Sequence, residues 1–312
     1  MRRIGRRLTS SGFNGRPSSS KSRVTTTSRA ACRGYNTTPC GVHPLIDVIP
    51  LLDGGSCSTT ASHIGAALRE VGWFYAAGAS VLPPEYICQI YAYLARAHAL
   101  PASVKHVYRQ RGGLGSYSGP DVGEPELNYD AGATDATVRG WDYSRSRFSL
   151  GAGAAVPPAE RYPPAEVLSP PFSVVLDELY ERQDTLGRAL LRGVEAALAM
   201  PADSLLGQFE GGDFGTVRLL HYPALVDGDP TRAGTSSIDA HGAQPSADVG
   251  DTLGYGIGAH TDFEVFTLMH QDAPGLQFLR RAPGGVGHVP EWVDAPVRPC
   301  VYIYIYIYIY IN

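Results

Sequence analysis

The stretch that decides the fold reads Gly256-Ile257-Gly258-Ala259-His260-Thr261-Asp262-Phe263-Glu264-Val265-Phe266-Thr267-Leu268-Met269-His270-Gln271-Asp272. On a β-strand, residues two apart face the same side with backbones about 7 Å apart, so His260 and Asp262 point into one pocket. An imidazole and a carboxylate so placed can converge on one metal ion. With a distant histidine they form the facial triad of non-haem iron(II) sites, which leaves three coordination positions for a co-substrate and oxygen. The spacing alone does not decide the matter, because His270-Gln271-Asp272 repeats it and a surface His/Asp hydrogen-bonded pair has the same pattern. Context separates the two. His260 follows a glycine-rich entry and precedes an apolar strand.

Around this stretch the second half of the chain breaks into short β segments divided by Gly and Pro. A long helix precedes it, since Val175, Leu176, Leu179, Leu186, Leu190, Val194 and Leu198 keep helical spacing from Phe172 to about Met200, where Pro201 ends it. The first half reads as helical, with helices over 61–70 and from Pro84 to about Leu100. In the latter Ile87, Ile90, Tyr91 and Leu94 define a buried face. Strands are expected over 45–52 and 72–75, and loops carrying short strands over 111–165. The segment 224–251, rich in Gly, Ser, Ala and Asp, reads as an exposed loop insertion, and its His241 as a solvated loop histidine.

Composition excludes several classes of function. A formal net charge of -4 provides no basic field for nucleic acid, and no apolar run reaches the roughly 20 residues needed to span a bilayer. The five cysteines form no C-x-x-C pair, which argues against a disulfide framework or a zinc site. Positive charge is concentrated in residues 1–46, which hold nine Lys and Arg and no acid before Asp47. That Arg-rich, Ser/Thr-rich leader reads as a mitochondrial or plastid transit peptide, or else as a disordered basic tail. Without a leader the protein would be cytoplasmic.

The sequence GIGAHTDFEVFTLMHQDAPGLQFL resembles the core motif of the isopenicillin N synthase-like family of iron(II), 2-oxoglutarate-dependent dioxygenases. The resemblance extends to Arg218-Leu219-Leu220-His221-Tyr222-Pro223, to Ile49-Pro50-Leu51-Leu52-Asp53, to Glu70-Val71-Gly72-Trp73-Phe74-Tyr75, to Leu100-Pro101 with Lys105, and to Gly115-Ser116-Tyr117 through Glu124. It implies an α+β, mainly β fold: a double-stranded β-helix (jelly-roll, cupin-like) core with a helical N-terminal module and a long central helix. It implies His260 and Asp262 as iron ligands and Tyr222 as a hydroxyl on the 2-oxoglutarate, with no catalytic residue beyond the metal ligands. His270 then falls at a variable position, while Gln271 and Asp272 match a non-ligand pair. The cofactors implied are Fe(II), 2-oxoglutarate as co-substrate, and ascorbate. The partners implied are O2 and a small organic substrate, acted on by a monomer.

The organisation expected is a leader over 1–46, an N-terminal dioxygenase module over 47–165, an incomplete dioxygenase domain over 166–300 and a Tyr-Ile repeat tail over 301–312. Two departures from the family stand out. Gly78-Ala79-Ser80 replaces a common Asn-His-Gly, and beyond Trp292-Val293-Asp294-Ala295-Pro296 no residue matches the second histidine ligand or the Arg-x-Ser that clamps the co-substrate. His288 lies too early, in a Gly-Pro-rich turn, to inherit the ligand role. The alternating tail is what a simple T/A nucleotide repeat encodes, so the final strands are expected to be missing and activity impaired. Three readings remain open: the 2-oxoglutarate enzyme, an oxidase of the same family that uses no 2-oxoglutarate, and a non-catalytic fold relic or binding module.

Overall fold

The computed structural model describes residues 43–110, 116–124, 126–127, 134–135, 138–145, 161–209, 215–223, 266–280 and 291–298. Residues 1–42 of the expected leader, the 224–251 segment with His241, the 256–262 stretch, His288 and the Tyr-Ile tail lie outside the described residues, whereas the end of the 1–46 span is folded, with Leu45 and Ile46 buried in the first strand.

The N-terminal module begins with strand β1 (Leu45–Asp47), which pairs in parallel with β2 (Tyr75–Ala77), Ile46 opposite Ala76. The strand expected over 45–52 is thus short. Pro50 has no N–H to give a ladder but is tolerated in the first turn of a helix, and the chain turns there into α1 (Ile49–Leu52). The second strand likewise starts three residues later than the aromatic run suggests, and Trp73 and Phe74 are buried just ahead of it. Between the strands lies α2 (Ser58–Glu70), whose Ile64 and Ala67 are wholly buried.

Helix α3 (Pro84–His98) has Pro84 and the acidic Glu85 in its first turn and Arg96 in its last, and the charges of Glu85 and Arg96 suit the two ends of the helix dipole. Its buried residues are Ile90, Tyr93 and Ala97, so the face is rotated from that expected, and Ile87, Tyr91 and Leu94 flank it half-buried. After the one-turn α4 (Ala102–Lys105) come β3 (Tyr117–Ser118), β4 (Glu126–Leu127), β5 (Thr134–Asp135) and β6 (Arg139–Tyr143). The long central helix is α5 (Phe172–Ala197). Its exposed side carries i,i+4 pairs, Arg182 on Glu178 at 2.8 Å and Arg188 on Asp184 at 2.7 Å, with the acid nearer the N-terminus as the dipole favours.

Helix α5 is the platform of the molecule. Its inner face buries Phe172, Leu176, Leu186, Leu190 and Val194. Two glycines let neighbours approach closely: a Cβ on Gly193 would stand 2.9 Å from Ile64 of α2, and one on Gly187 would stand 3.3 Å from Phe266. The remaining described strands are β7 (Val217–His221), β8 (Gln277–Arg280) and β9 (Glu291–Asp294). β6 is the centre of an antiparallel sheet in the order β3-β6-β7, with Trp141 facing Tyr117 on one side and Leu219 on the other. β8 and β9 pair antiparallel. Their ends meet the N-terminal module, where Phe278 stacks on Trp73 at 4.7 Å and the Tyr75 hydroxyl donates to the Pro296 carbonyl at 3.0 Å.

Candidate active site

Strand β7 alternates as a half-buried strand should. Val217 and Leu219 turn inward, while Arg218 and Leu220 are exposed. Tyr222 follows its last residue and is 45% exposed, which leaves its side chain accessible to a ligand.

The strand's end is fixed from behind by α3. The rings of His98 and His221 lie 5.2 Å apart. Burial first, then the neighbouring His221, draws the His98 pKa down to about 4, so this ring is neutral at physiological pH. Burial and Arg139 lower His221 as well. The His98 carbonyl accepts from Lys105 Nζ at 3.2 Å, and Lys105 forms a 2.6 Å ion pair with Asp121. Tyr117 donates to the same carboxylate at 2.9 Å, and Arg139 stands 3.8 Å away. Burial works against that charge, yet Lys105 and Tyr117 outweigh it and hold the Asp121 carboxyl below the usual range. Lys105, identified in the sequence only as part of a motif, is therefore the buried tie between α4 and the turn after β3.

Residues 266–272 continue the stretch that holds the two expected ligands, and four side chains fix them. Phe266 and Leu268 pack over Gly187 of α5. His270 Nδ1 lies 2.7 Å from the Tyr91 hydroxyl of α3, and Gln271 Nε2 donates to the Ala295 carbonyl at 2.8 Å. Asp272 is exposed, and its charge is felt by Tyr91, His221 and His270. The second H-x-D pair is thus engaged with α3, and no group of three His, Cys, Asp or Glu able to hold a metal occurs among the described residues.

No family model matches the chain. A clavatol oxidase of Penicillium crustosum is 28% identical over 284 residues, covering 83% of this chain and 74% of that protein. A 2-oxoglutarate-dependent dioxygenase of Glarea lozoyensis is 26% identical over 202 residues, or 62% of this chain and 53% of its own length. A homoarginine-6-hydroxylase of Glycine max is 28% identical over 134 residues, only 34% of its length. Among solved structures, a full-length Neurospora crassa protein in complex with alpha-KG superposes with a TM-score of 0.60 at 20% identity, covering 88% of this chain and 76% of that one. In sequence the chain is similar to 2-oxoglutarate-dependent dioxygenases, and in fold to iron(II)/2-oxoglutarate oxygenases.

The dioxygenase fold, a double-stranded β-helix, is the one expected from the sequence, and the described strands β7, β8 and β9 with the helical module and α5 are parts of it. The described structure places Tyr222 at the exposed end of β7, while His260 and Asp262 lie outside the described residues. Three contributors went unnoticed in the sequence as a set: Tyr91, His98 and His221. A signal for two of them existed, since Tyr91 and His98 are seven residues apart and therefore share a face of α3. No helix among the described residues is long and apolar enough to cross a membrane.

Proposed function

We propose that the protein oxidises or hydroxylates a small organic substrate with O2, using iron(II) held by His260 and Asp262 and 2-oxoglutarate held in part by Tyr222. The observation that carries this reading is the His260-x-Asp262 spacing within a chain whose relatives and structural neighbours are oxygenases of one family. His260 and Asp262 supply two of the three donors of the facial triad, a neutral imidazole and a hard carboxylate, which are the ligand types that suit non-haem iron(II). Bound iron(II) supplies oxygen activation coupled to decarboxylation of 2-oxoglutarate.

The chain's own residues then have distinct tasks. His260 offers a lone pair only when neutral, and Asp262 offers a charge that offsets that of the cation. The Tyr222 hydroxyl donates to a co-substrate carboxylate, a charge-assisted bond worth about 1.5–3 kcal/mol. The substrate is a small organic molecule, as in the relatives named for clavatol and homoarginine. We include a monomeric state, and ascorbate as the reductant that keeps iron reduced, in the proposal.

The test is an anaerobic titration of iron(II) with 2-oxoglutarate, following the metal-to-ligand charge-transfer absorption. The band is expected with the wild type, lost in His260→Ala and shifted to higher 2-oxoglutarate concentration in Tyr222→Phe. A wild-type chain that develops no band overturns the reading.

A further inference from the structure

We propose that His98 is a positioning residue: packed against His221 behind the end of β7, it sets the direction in which the next residue, Tyr222, reaches the co-substrate. This rests on the functional reading above in taking Tyr222 as a partner of 2-oxoglutarate.

The ladder between β6 and β7 runs from Tyr143 opposite Val217 to Arg139 opposite His221, so Tyr222 is the first residue past it. Pro223 follows, and with no N–H it cannot extend the ladder as a donor. The backbone under Tyr222 therefore takes its direction from His221. Neighbouring side chains of a strand point to opposite faces, so His221 falls on the side of Val217 and Leu219, while Tyr222 continues the exposed side with Leu220. Adjacent and opposed, the two side chains form a lever across the strand. A roll of the strand about its axis that swings His221 swings Tyr222 by the same angle. Whatever contacts Tyr222 makes for itself, what His98 governs is the backbone that carries it.

His98 grips that lever from the α3 side. Its ring stands 5.2 Å from the His221 ring, 34° from parallel, and also bonds to the Leu219 backbone, so it holds the two residues of that face nearest Tyr222. The grip is itself anchored. Tyr93 and Ala97 bury the last turns of α3, and the His98 carbonyl accepts from Lys105 Nζ at 3.2 Å, with Lys105 tied in turn to Asp121 at 2.6 Å. Burial first, then His221, Lys105 and Arg139, keep the ring uncharged against the opposite pull of the Leu219 contact. An uncharged imidazole donates through one nitrogen only, and Nδ1 is buried without a partner, which assigns the Leu219 carbonyl to Nε2. A leucine would fill the same place without an unpaired nitrogen, so the bond to Leu219 is what a histidine adds here.

The experiment is a double-mutant cycle in the full chain at neutral pH. It reads the 2-oxoglutarate concentration that half-saturates the charge-transfer band with iron(II) under anaerobic conditions. Tyr222→Phe is expected to raise that concentration about tenfold, His98→Leu about fivefold, and His98→Gln, whose amide can still donate to Leu219, less than about twofold. On the Tyr222→Phe background, His98→Leu should add less than about twofold, because a residue that acts through Tyr222 has nothing left to aim. His98→Met serves the same cycle if the leucine variant does not fold. Unchanged half-saturation in His98→Leu, a loss that multiplies in full with that of Tyr222→Phe, or a His98→Gln chain as weak as His98→Leu overturns the proposal alone. A wild-type chain without the band, or a Tyr222→Phe chain that binds as the wild type does, overturns the reading of Tyr222 and the role of His98 with it.

Discussion

Glu195 carries its charge into the core with only 2% exposure. Burial opposes that charge, but the amides of Leu206, Leu205 and Asp203, at 3.0, 2.7 and 2.9 Å, outweigh it and hold the carboxyl below the usual glutamate range. The chain past α5 needs this anchor, because the helix ends on Ala199 in the left-handed region (φ 52), a conformation an alanine adopts unwillingly. Glu195→Ala, which leaves those amides unpaired, should cost about 2–3 kcal/mol in urea unfolding. His98 adds a second pH-sensitive group. Its folded pKa of about 4 lies below the unfolded value near 6.5, so its contribution is complete above 6.5 and is lost as pH falls toward 4. Glu195 is also depressed, so its contribution is present above the ordinary glutamate pKa and is lost as pH falls through its lower folded value. The unfolding free energy should therefore fall by roughly 2–3 kcal/mol more between pH 6.5 and 4 in the wild type than in His98→Leu, where the depressed His43, His221 and His270 keep a slope of their own. An equal fall in both chains would remove His98 from the account.

At the scale of elements, a single turn shows what position-specific chemistry does. Gly78, which follows β2, has φ +74, and a Cβ there would stand 2.7 Å from Ile49 of α1. The Gly78-Ala79-Ser80 departure from the family is thus matched by the Ile49 side chain lying against it. Gly78→Ala should destabilise by about 1–3 kcal/mol, since both the backbone conformation and the contact oppose it; a thermal melt indistinguishable from wild type would refute that. The helices were legible because three turns or more of apolar periodicity outvote local noise, and α5 begins at Phe172 as read. The short strands were less so. In 45–52 the apolar content is uniform, so periodicity cannot separate β1 from α1, and only the meaning of Pro50 divides them. The face of α3 was misjudged because Tyr91 and Tyr93 read equally apolar, yet only Tyr93 faces the core, while Tyr91 ends on His270. Of the site, the sequence showed Tyr222 at a strand end, whereas the pairing of α3 with 266–272 depends on contacts some 180 residues apart in the chain, which no local pattern encodes.

For the whole molecule, one buried ion pair joins the N-terminal module to the sheet. Lys105 is 4% exposed and lies over the Tyr117 ring at 5.0 Å while it holds Asp121. Lys105→Met leaves the partly buried Asp121 carboxylate with only Arg139, 3.8 Å away, and should cost about 1.5–3 kcal/mol, whereas Lys105→Met with Asp121→Leu should recover most of that loss. A double variant as unstable as the single one would show that the pair contributes packing and not charge compensation. Together these ties make the N-terminal helices part of the same folding unit as β6 and β7, so damage to either is expected to be felt by both in one cooperative transition.

The stacking of Trp73 on Phe278 and the bond from Tyr75 to the Pro296 carbonyl, 221 residues further on, also set a timetable. A ribosome adding roughly 5–20 residues per second leaves the aromatic face of the first strands waiting on the order of 10–40 seconds for its cover. During synthesis this face is therefore a nascent apolar surface until the late hairpin emerges.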